Sequence, residues 1–358
     1  MTRYQDIIPT ITGANQEALS AARAYCDFLI KPFGSLGRLE DMAVKLAGIT
    51  GQTHNHLDNC TVLVFAADNG VVAEGVATVD PGFTRLQAIN MTRGICGVSV
   101  LSAAAGAEVK VIDIGISTPA GWPAVLDYNV ARGTANMAQG PAMSREVAER
   151  AIQVGFDLAC ESYAAGADIL GTGEMGIGNT STSAAVVIAL TGITPESAVG
   201  RGAGLTDEAW EHKVEVIKQA LAVNQPDVTD PIAVLAAVGG LDIAGMVGCY
   251  LAAAWQRKPI IIDGVISAAA ALIAYRLAPA THDFMFPSHR SEEPAHSVIV
   301  DELGLQPYLE LRMRLGEGSG CPLALQILRG ACAMMNGMGT FDDINFDTTV
   351  LVDNRDDV

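Results

Sequence analysis

The sequence predicts an α/β fold, a parallel sheet flanked by helices in the Rossmann-like manner, with a smaller helical subdomain made from the two chain ends. Three observations lead there. Short β-branched runs stop abruptly at Asp or Gly, as strands do at the carboxyl edge of a parallel sheet. Helix-length segments separate those runs, the spacing of βαβ units. Gly is abundant (37 residues) and aromatic residues are only 5%, which suits close helix-on-sheet packing better than a β-sandwich.

The elements follow in chain order. Residues 14–30 and 38–48 carry apolar positions on one helical face and are expected to be amphipathic helices. Thr61-Val-Leu-Val-Phe-Ala66 reads as the first strand, ending at Ala67-Asp-Asn-Gly70. Glu108-Val-Lys-Val-Ile-Asp-Ile114 reads as the second, ending at Gly115, with one helix expected over 83–105 between them. Ala167-Asp-Ile-Leu170 is a strand before a glycine-rich loop and a helix over 180–190. Lys258-Pro-Ile-Ile-Ile262 is a strand stopping at Asp263-Gly264, and 322–338 is a last amphipathic helix. The α/β domain is expected over 50–310, and the helical subdomain over 1–49 with 311–350. The acidic run 353–357 is expected to fray. In open parallel sheets the ligand crevice lies at the carboxyl edge of the strands.

Composition excludes several function classes. Half of the 358 residues are hydrophobic and 17% are charged, enough for a large core and too apolar for disorder. The net charge of −18 repels phosphate backbones, so nucleic-acid binding is not expected. An anionic small substrate would need a local, donor-rich pocket. The seven Cys form no C-x-x-C pair and read as reduced, buried thiols. The longest apolar stretches, such as 265–275, run about ten residues, too short to cross a bilayer. The opening residues lack a secretory-type apolar run. A cytoplasmic protein without membrane or nucleic-acid partners is expected. The six His show no metal-ligand spacing, so they read as core or surface residues and no metal is expected.

Two stretches carry candidate chemistry. Gly171-Thr-Gly173-Glu-Met-Gly176 matches G-x-G-x-x-G between a strand and a helix, where backbone N–H groups can cradle an anion. One reading is a dinucleotide fingerprint and hence an oxidoreductase; another is an ordinary glycine-rich turn. The mid-chain position, the charge of Glu174 and the hydroxyl-rich continuation Asn179-Thr-Ser-Thr182 favour one phosphate and a sugar. The second stretch, Met313-Arg-Leu-Gly-Glu317-Gly-Ser-Gly320, holds a carboxylate between glycines before an apolar helix. There it is open to close approach by a ligand and can accept a proton, or it can simply cap a turn. Asp68, Asp242 and Asp263 stand at element ends, where they can be caps or, for Asp263, a ligand contact.

A longer series runs in order through the chain. It includes Lys31-Pro-Phe-Gly-Ser-Leu-Gly-Arg-Leu-Glu40, Ala67-Asp-Asn-Gly-Val71, Asn90-Met-Thr-Arg-Gly94 and Val111-Ile-Asp-Ile-Gly115. It continues through Gly173-Glu-Met-Gly176, Val238-Gly-Gly-Leu-Asp242, Pro287-Ser-His289 and the 313–320 stretch. The series resembles the nicotinate-nucleotide–dimethylbenzimidazole phosphoribosyltransferases of cobamide (vitamin B12) assembly. The resemblance implies transfer of the phosphoribosyl group of nicotinate mononucleotide to an aromatic base, usually 5,6-dimethylbenzimidazole, by a homodimer. It puts the catalytic base on Glu317 and the phosphoribosyl site on Glu174, Met175, Gly176, Ile177, Asn179, Lys213 and Asp263. It puts the acceptor base against Val79, Asp80, Gln87 and Leu315. Lys213 read alone is a solvated helix charge; only the resemblance promotes it. A mononucleotide donor has no diphosphate to chelate, so neither metal nor cofactor is implied.

The chain departs from the family at Asn69, commonly His, and at Thr78-Val-Asp-Pro81, where many members read x-Ser-Pro-Lys. The second departure falls in the base pocket and points to acceptors beyond dimethylbenzimidazole, phenols first. Some phenol- and p-cresol-activating relatives pair two similar chains. The alternative to a self-sufficient enzyme is therefore a weakly active or binding subunit of such a heterodimer.

Overall fold

The computed structural model describes residues 2–202 and 204–353. Six parallel strands form one sheet: β1 (Cys60–Ala67), β2 (Glu108–Gly115), β3 (Val125–Asp127), β4 (Ile169–Met175), β5 (Ile260–Ile262) and β6 (Met285–Pro287). Their order is β3-β2-β1-β4-β5-β6, and each neighbouring pair runs parallel. Every residue of β1 and β4 is buried, as expected when helices cover both faces. Chain direction across the sheet reverses between β1 and β4, so the loops leaving those two strands part and open a crevice.

The helices are α1 (Tyr4–Ile7), α2 (Gln16–Phe28), α3 (Arg38–Thr50), α4 (Gly82–Thr92), α5 (Gly97–Ala105), α6 (Arg145–Ala164) and α7 (Asn179–Thr191). After them come α8 (Pro195–Ala198), α9 (Asp207–Asn224), α10 (Pro231–Val238), α11 (Leu241–Gln256), α12 (Val265–Leu277), α13 (Ala295–Glu302) and α14 (Cys321–Gly337). Strand side chains alternate between two cores. Leu63 and Phe65 join α6, α7, α9, α10, α11 and α12. Val62, Val64 and Ala66 face α2, α3, α4, α5 and α14. Helices α2, α3 and α14 thus meet under one sheet face, with the Ile30 N–H donating to the Gly339 carbonyl at 2.9 Å, whereas α1 joins the other core through Tyr4 and Ile7.

One expected helix is two. Residues 83–105 break at Arg93–Cys96, where Gly94 takes a left-handed φ of 76° and Cys96 is extended. The combined stretch Gly82–Ala105, 24 residues, is long and apolar enough by composition to cross a membrane. Divided into helices of 11 and 9 residues, neither half reaches the ~20 residues a span needs. The acidic run 353–357 lies outside the described residues beyond Asp353.

The closest helix pair is α6 against α11. Gly155 lies on the backbone of Gly245, and Gly248 lies on Ile152 and Phe156, so a Cβ at either glycine would overlap main-chain atoms. The Cys249 thiol reaches the Gly155 carbonyl at 3.5 Å. Backbone cannot yield as a side-chain tip can. Gly155→Ala should therefore lower unfolding free energy by about 2 kcal/mol or more. Denaturant unfolding of the variant checks this; a change under ~0.5 kcal/mol would show that the helices can separate freely.

Candidate active site

A cavity of about 310 Å³ opens at the carboxyl ends of β4 and β5, walled by the loops after β1 and β6 and by residues 314–317. Each wall has a local cause. The G-x-G-x-x-G stretch is not a turn: β4 runs through Gly171, Gly173 and Glu174 to Met175. Gly173 is needed because the backbone of Glu317 lies directly on the strand, where a Cβ would overlap its carbonyl oxygen. The turn comes later, at Gly176–Gly178, before α7. The first turns of α7 and α12 border the cavity, and neither has a side-chain N-cap. Free N–H groups and two helix N-termini therefore face one space, the usual basis of an anion site.

Glu317 has a left-handed φ of 66° between Gly316 (80°) and Gly318 (93°). A non-glycine residue there costs roughly 1 kcal/mol or more, a strain that marks the position. Its Oε1 accepts from Gln87 Nε2 at 2.9 Å and its Oε2 from the Val98 N–H at 3.0 Å. The helix N-terminus it meets is that of α5, not of α14, which follows it in sequence. The N–H groups in front of α14 go elsewhere: Gly318 and Gly320 donate to Asp263 Oδ2 and Oδ1 at 3.0 and 2.7 Å.

Beneath Glu317 sits a buried carboxyl pair. Glu174 Oε1 accepts from the Glu317 N–H at 3.2 Å. Asn179 Nδ2 donates both to Glu174 Oε2 and to Asp242 Oδ2, so one amide serves two acids. Burial, then the Asp242 charge, pushes the Glu174 carboxyl up to about 8. Burial likewise raises Asp242 to about 6 and pushes Asp263 upward. Glu174 is thus largely protonated at neutral pH and can donate as well as accept.

Lys213 is not a solvated charge. It is 1% exposed, and its Nζ donates to Thr180 Oγ1 at 2.9 Å and the Gly200 carbonyl at 3.3 Å. Burial lowers its amine to about 8, against the pull of Glu293. Met175, Gly176, Ile177, Asn179, Asp263, Val79, Gln87 and Leu315 line the same cavity as Glu174, Lys213 and Glu317. Asp80 does not. It is exposed, and its Oδ1 accepts from the Gly82 N–H at 2.8 Å at the start of α4. Proline at 81 is the residue that leads into that helix, and the aspartate carboxylate is occupied by the Gly82 N–H.

The sequence reading missed Arg314, His289 and Glu293, which also line the cavity. Strand β6 is only three residues long, too short to mark the loop after it as part of the carboxyl edge. The signal that was available was Pro287-Ser-His289 within the resemblance. Among the described residues, no three His, Cys, Asp or Glu gather as a metal site.

Comparison with known proteins gives one answer throughout. A family model described as Phosphoribosyltransferase matches residues 11–345. Nicotinate-nucleotide–dimethylbenzimidazole phosphoribosyltransferase of Clostridium acetobutylicum is 44% identical over 95% of this chain and 96% of its own. The protein of that name from Alkaliphilus metalliredigens is 46% identical, over 96% and 99%. The crystal structure of CobT from Thermus thermophilus superposes with a TM-score of 0.88 at 40% identity, covering 92% of this chain and 99% of that one.

The buried pair carries a pH prediction. The folded Glu174 carboxyl, at about 8, lies above its ordinary 4.5. Its contribution to stability is therefore complete below about pH 4.5 and is lost as pH rises through about 8. Glu174→Gln cannot titrate, so its unfolding free energy should fall less between about pH 5 and about pH 8 than that of the parent. Identical slopes for the two proteins in denaturant melts would contradict the assignment.

Proposed function

This chain belongs to the nicotinate-nucleotide–dimethylbenzimidazole phosphoribosyltransferase family, and from that premise we propose that it transfers the phosphoribosyl group of nicotinate mononucleotide to 5,6-dimethylbenzimidazole. The products are an α-ribotide and nicotinate, for the nucleotide loop of a cobamide. The observation that carries the reading is the Glu317 carboxylate, strained in its loop and oriented by Gln87 and Val98 at the wall of a cavity rich in phosphate donors.

The chemistry follows from these groups. The 5′-phosphate lies against Lys213 and the amino ends of α7 and α12. The ribose lies near Glu174, Asn179 and Asp263, with the acceptor ring among Val79, Gln87 and Leu315. One benzimidazole nitrogen attacks C1′ with its lone pair. The C1′–N bond to the pyridinium breaks, and its electron pair neutralises the ring nitrogen of the leaving nicotinate. The proton on the acceptor's other nitrogen passes to Glu317. Attack opposite the leaving ring inverts C1′ and gives the α product. Holding both rings in line supplies much of the rate. Binding the donor's phosphate in an acidic protein is supported by burying Lys213 out of solvent, where its charge is weakly screened by water.

The same proposal includes a dimer, with itself or a similar chain, working in the cytoplasm. Thr78 and Val79 line the cavity, and they support a wider acceptor range that extends to phenols.

Two variants test the assignment. Glu317→Gln should bind donor normally but slow transfer about 100-fold or more in single-turnover assays with dimethylbenzimidazole. Turnover near the parent rate would remove Glu317 as the base. Lys213→Met keeps the stem's packing and should weaken nicotinate mononucleotide binding about ten-fold or more while barely affecting the dephosphorylated riboside. Equal losses on both ligands would detach Lys213 from the phosphate.

A further inference from the structure

Asp263 holds the loop of Glu317 through the N–H groups of Gly318 and Gly320, yet the sheet does not fix Asp263 itself. Strand β5 is three residues long, and its ladder with β6 ends at the pair Ile262–Pro287. Past that pair, side chains hold the Asp263 backbone. Its N–H donates to Ser267 Oγ at 3.0 Å, and its carbonyl accepts from Ser288 Oγ at 3.1 Å. Ser267 lies in the first turn of α12 and is buried.

Ser267 is in turn one corner of a ring of three hydroxyls. Its Oγ lies 2.6 Å from Thr172 Oγ1 on β4 and 2.7 Å from the Tyr250 hydroxyl on α11. Those two oxygens are 2.7 Å apart, and both side chains are wholly buried. Three oxygens bring three protons, so each can donate once and accept once around the ring. Ser267 Oγ keeps a second lone pair, and that pair takes the Asp263 N–H. Burial pushes the Tyr250 phenol upward, so it retains its proton. The closed ring thus sets the direction of the Ser267 hydroxyl, and through it the end of β5. Stability alone does not require such a ring. Phe at 250 and Val at 172 have nearly the same shape, and replacing both partners of a buried hydrogen bond by apolar groups can be close to neutral. What the hydroxyls add is direction.

We infer that Tyr250, which lies outside the cavity lining, is a positioning residue for Glu317, acting through Ser267 and Asp263. The inference rests on the transfer reading above. The test variant is Tyr250→Phe with Thr172→Val, which leaves Ser267 in place but opens the ring. Its unfolding midpoint should stay within about 3 °C of the parent. At saturating nicotinate mononucleotide its kcat with dimethylbenzimidazole should fall about ten-fold or more, the effect of a displaced reacting group. Added to Glu317→Gln, the same two changes should cost less than about two-fold, because a base already removed cannot be misplaced. Hydrogen exchange across 316–321 should quicken about five-fold or more, the scale of one weakened hydrogen bond. Equal losses with and without Glu317 would make Tyr250 a general support of the fold and overturn the inference. A rate like that of an active parent, or unchanged exchange across 316–321, would also overturn it. If the parent transfers nothing to dimethylbenzimidazole yet the exchange quickens, the transfer reading falls and the positioning of the loop by Tyr250 stands. Should the double variant not fold, Tyr250→Phe alone, which keeps the Thr172–Ser267 bond, is judged by the same outcomes.

Discussion

The clamp of Asp263 on the backbone of Gly318 and Gly320 is the contact on which the rest of the site depends. It ties the end of β5 to the loop before α14 and presses that loop onto β4. The absence of a side chain at Gly173 lets Glu317 lie within contact of the strand. With the loop held there, Glu317 takes its strained left-handed conformation and its carboxylate reaches the first turn of α5. Three segments far apart in the chain thus define one carboxylate's position. That over-determination is what strained functional residues require.

Charge is the second constraint. The protein is acidic overall, yet its cavity must receive an anion. Two features reconcile these demands. Burial keeps Glu174 largely neutral, so the acids beneath the site repel less than their number suggests. The donors on the phosphate side are backbone N–H groups and one buried lysine, where low dielectric strengthens each interaction. Sharing the Asn179 amide between Glu174 and Asp242 links this acid pair to the first turn of α7. A change at Asp242, outside the cavity lining, would therefore be felt at the α7 N-terminus.

Much of the architecture was legible because parallel sheets leave strong local marks. Strand β1 is a near-continuous apolar run, β2 sets β-branched residues between charged ones, each stops at Asp or Gly, and α2, α3 and α14 have apolar faces of clear helical period. The short strands β3 and β6, three residues each, leave too little pattern to recognise. Their ladder partners are β2 and β5, beyond the reach of local pattern. The same limit hid the break between α4 and α5, where a continuous apolar composition masks a change of direction at Gly94. It also made the glycine-rich second half of β4 look like a loop, because glycine reads as a turn unless the backbone packed against it is known.

Local chemistry alone marked Glu317 as unusual and the 171–176 stretch with its hydroxyl-rich continuation as an anion cradle, since flanking glycines and a hydroxyl-rich helix start are properties of adjacent residues, although the turn itself lies at Gly176–Gly178. Membership of the series of motifs extended this to Lys213. Only the tertiary structure decided that Lys213 is buried, that Asp80 bonds the Gly82 N–H outside the cavity, and that the helix receiving the Glu317 carboxylate is α5. It alone joined Arg314 and His289 to the same cavity. The physical reason is that burial and partnership are set by the crossing of the sheet at β1 and β4, which brings residues more than a hundred positions apart into contact. Propensity and periodicity act over a few turns of chain and carry no record of that crossing.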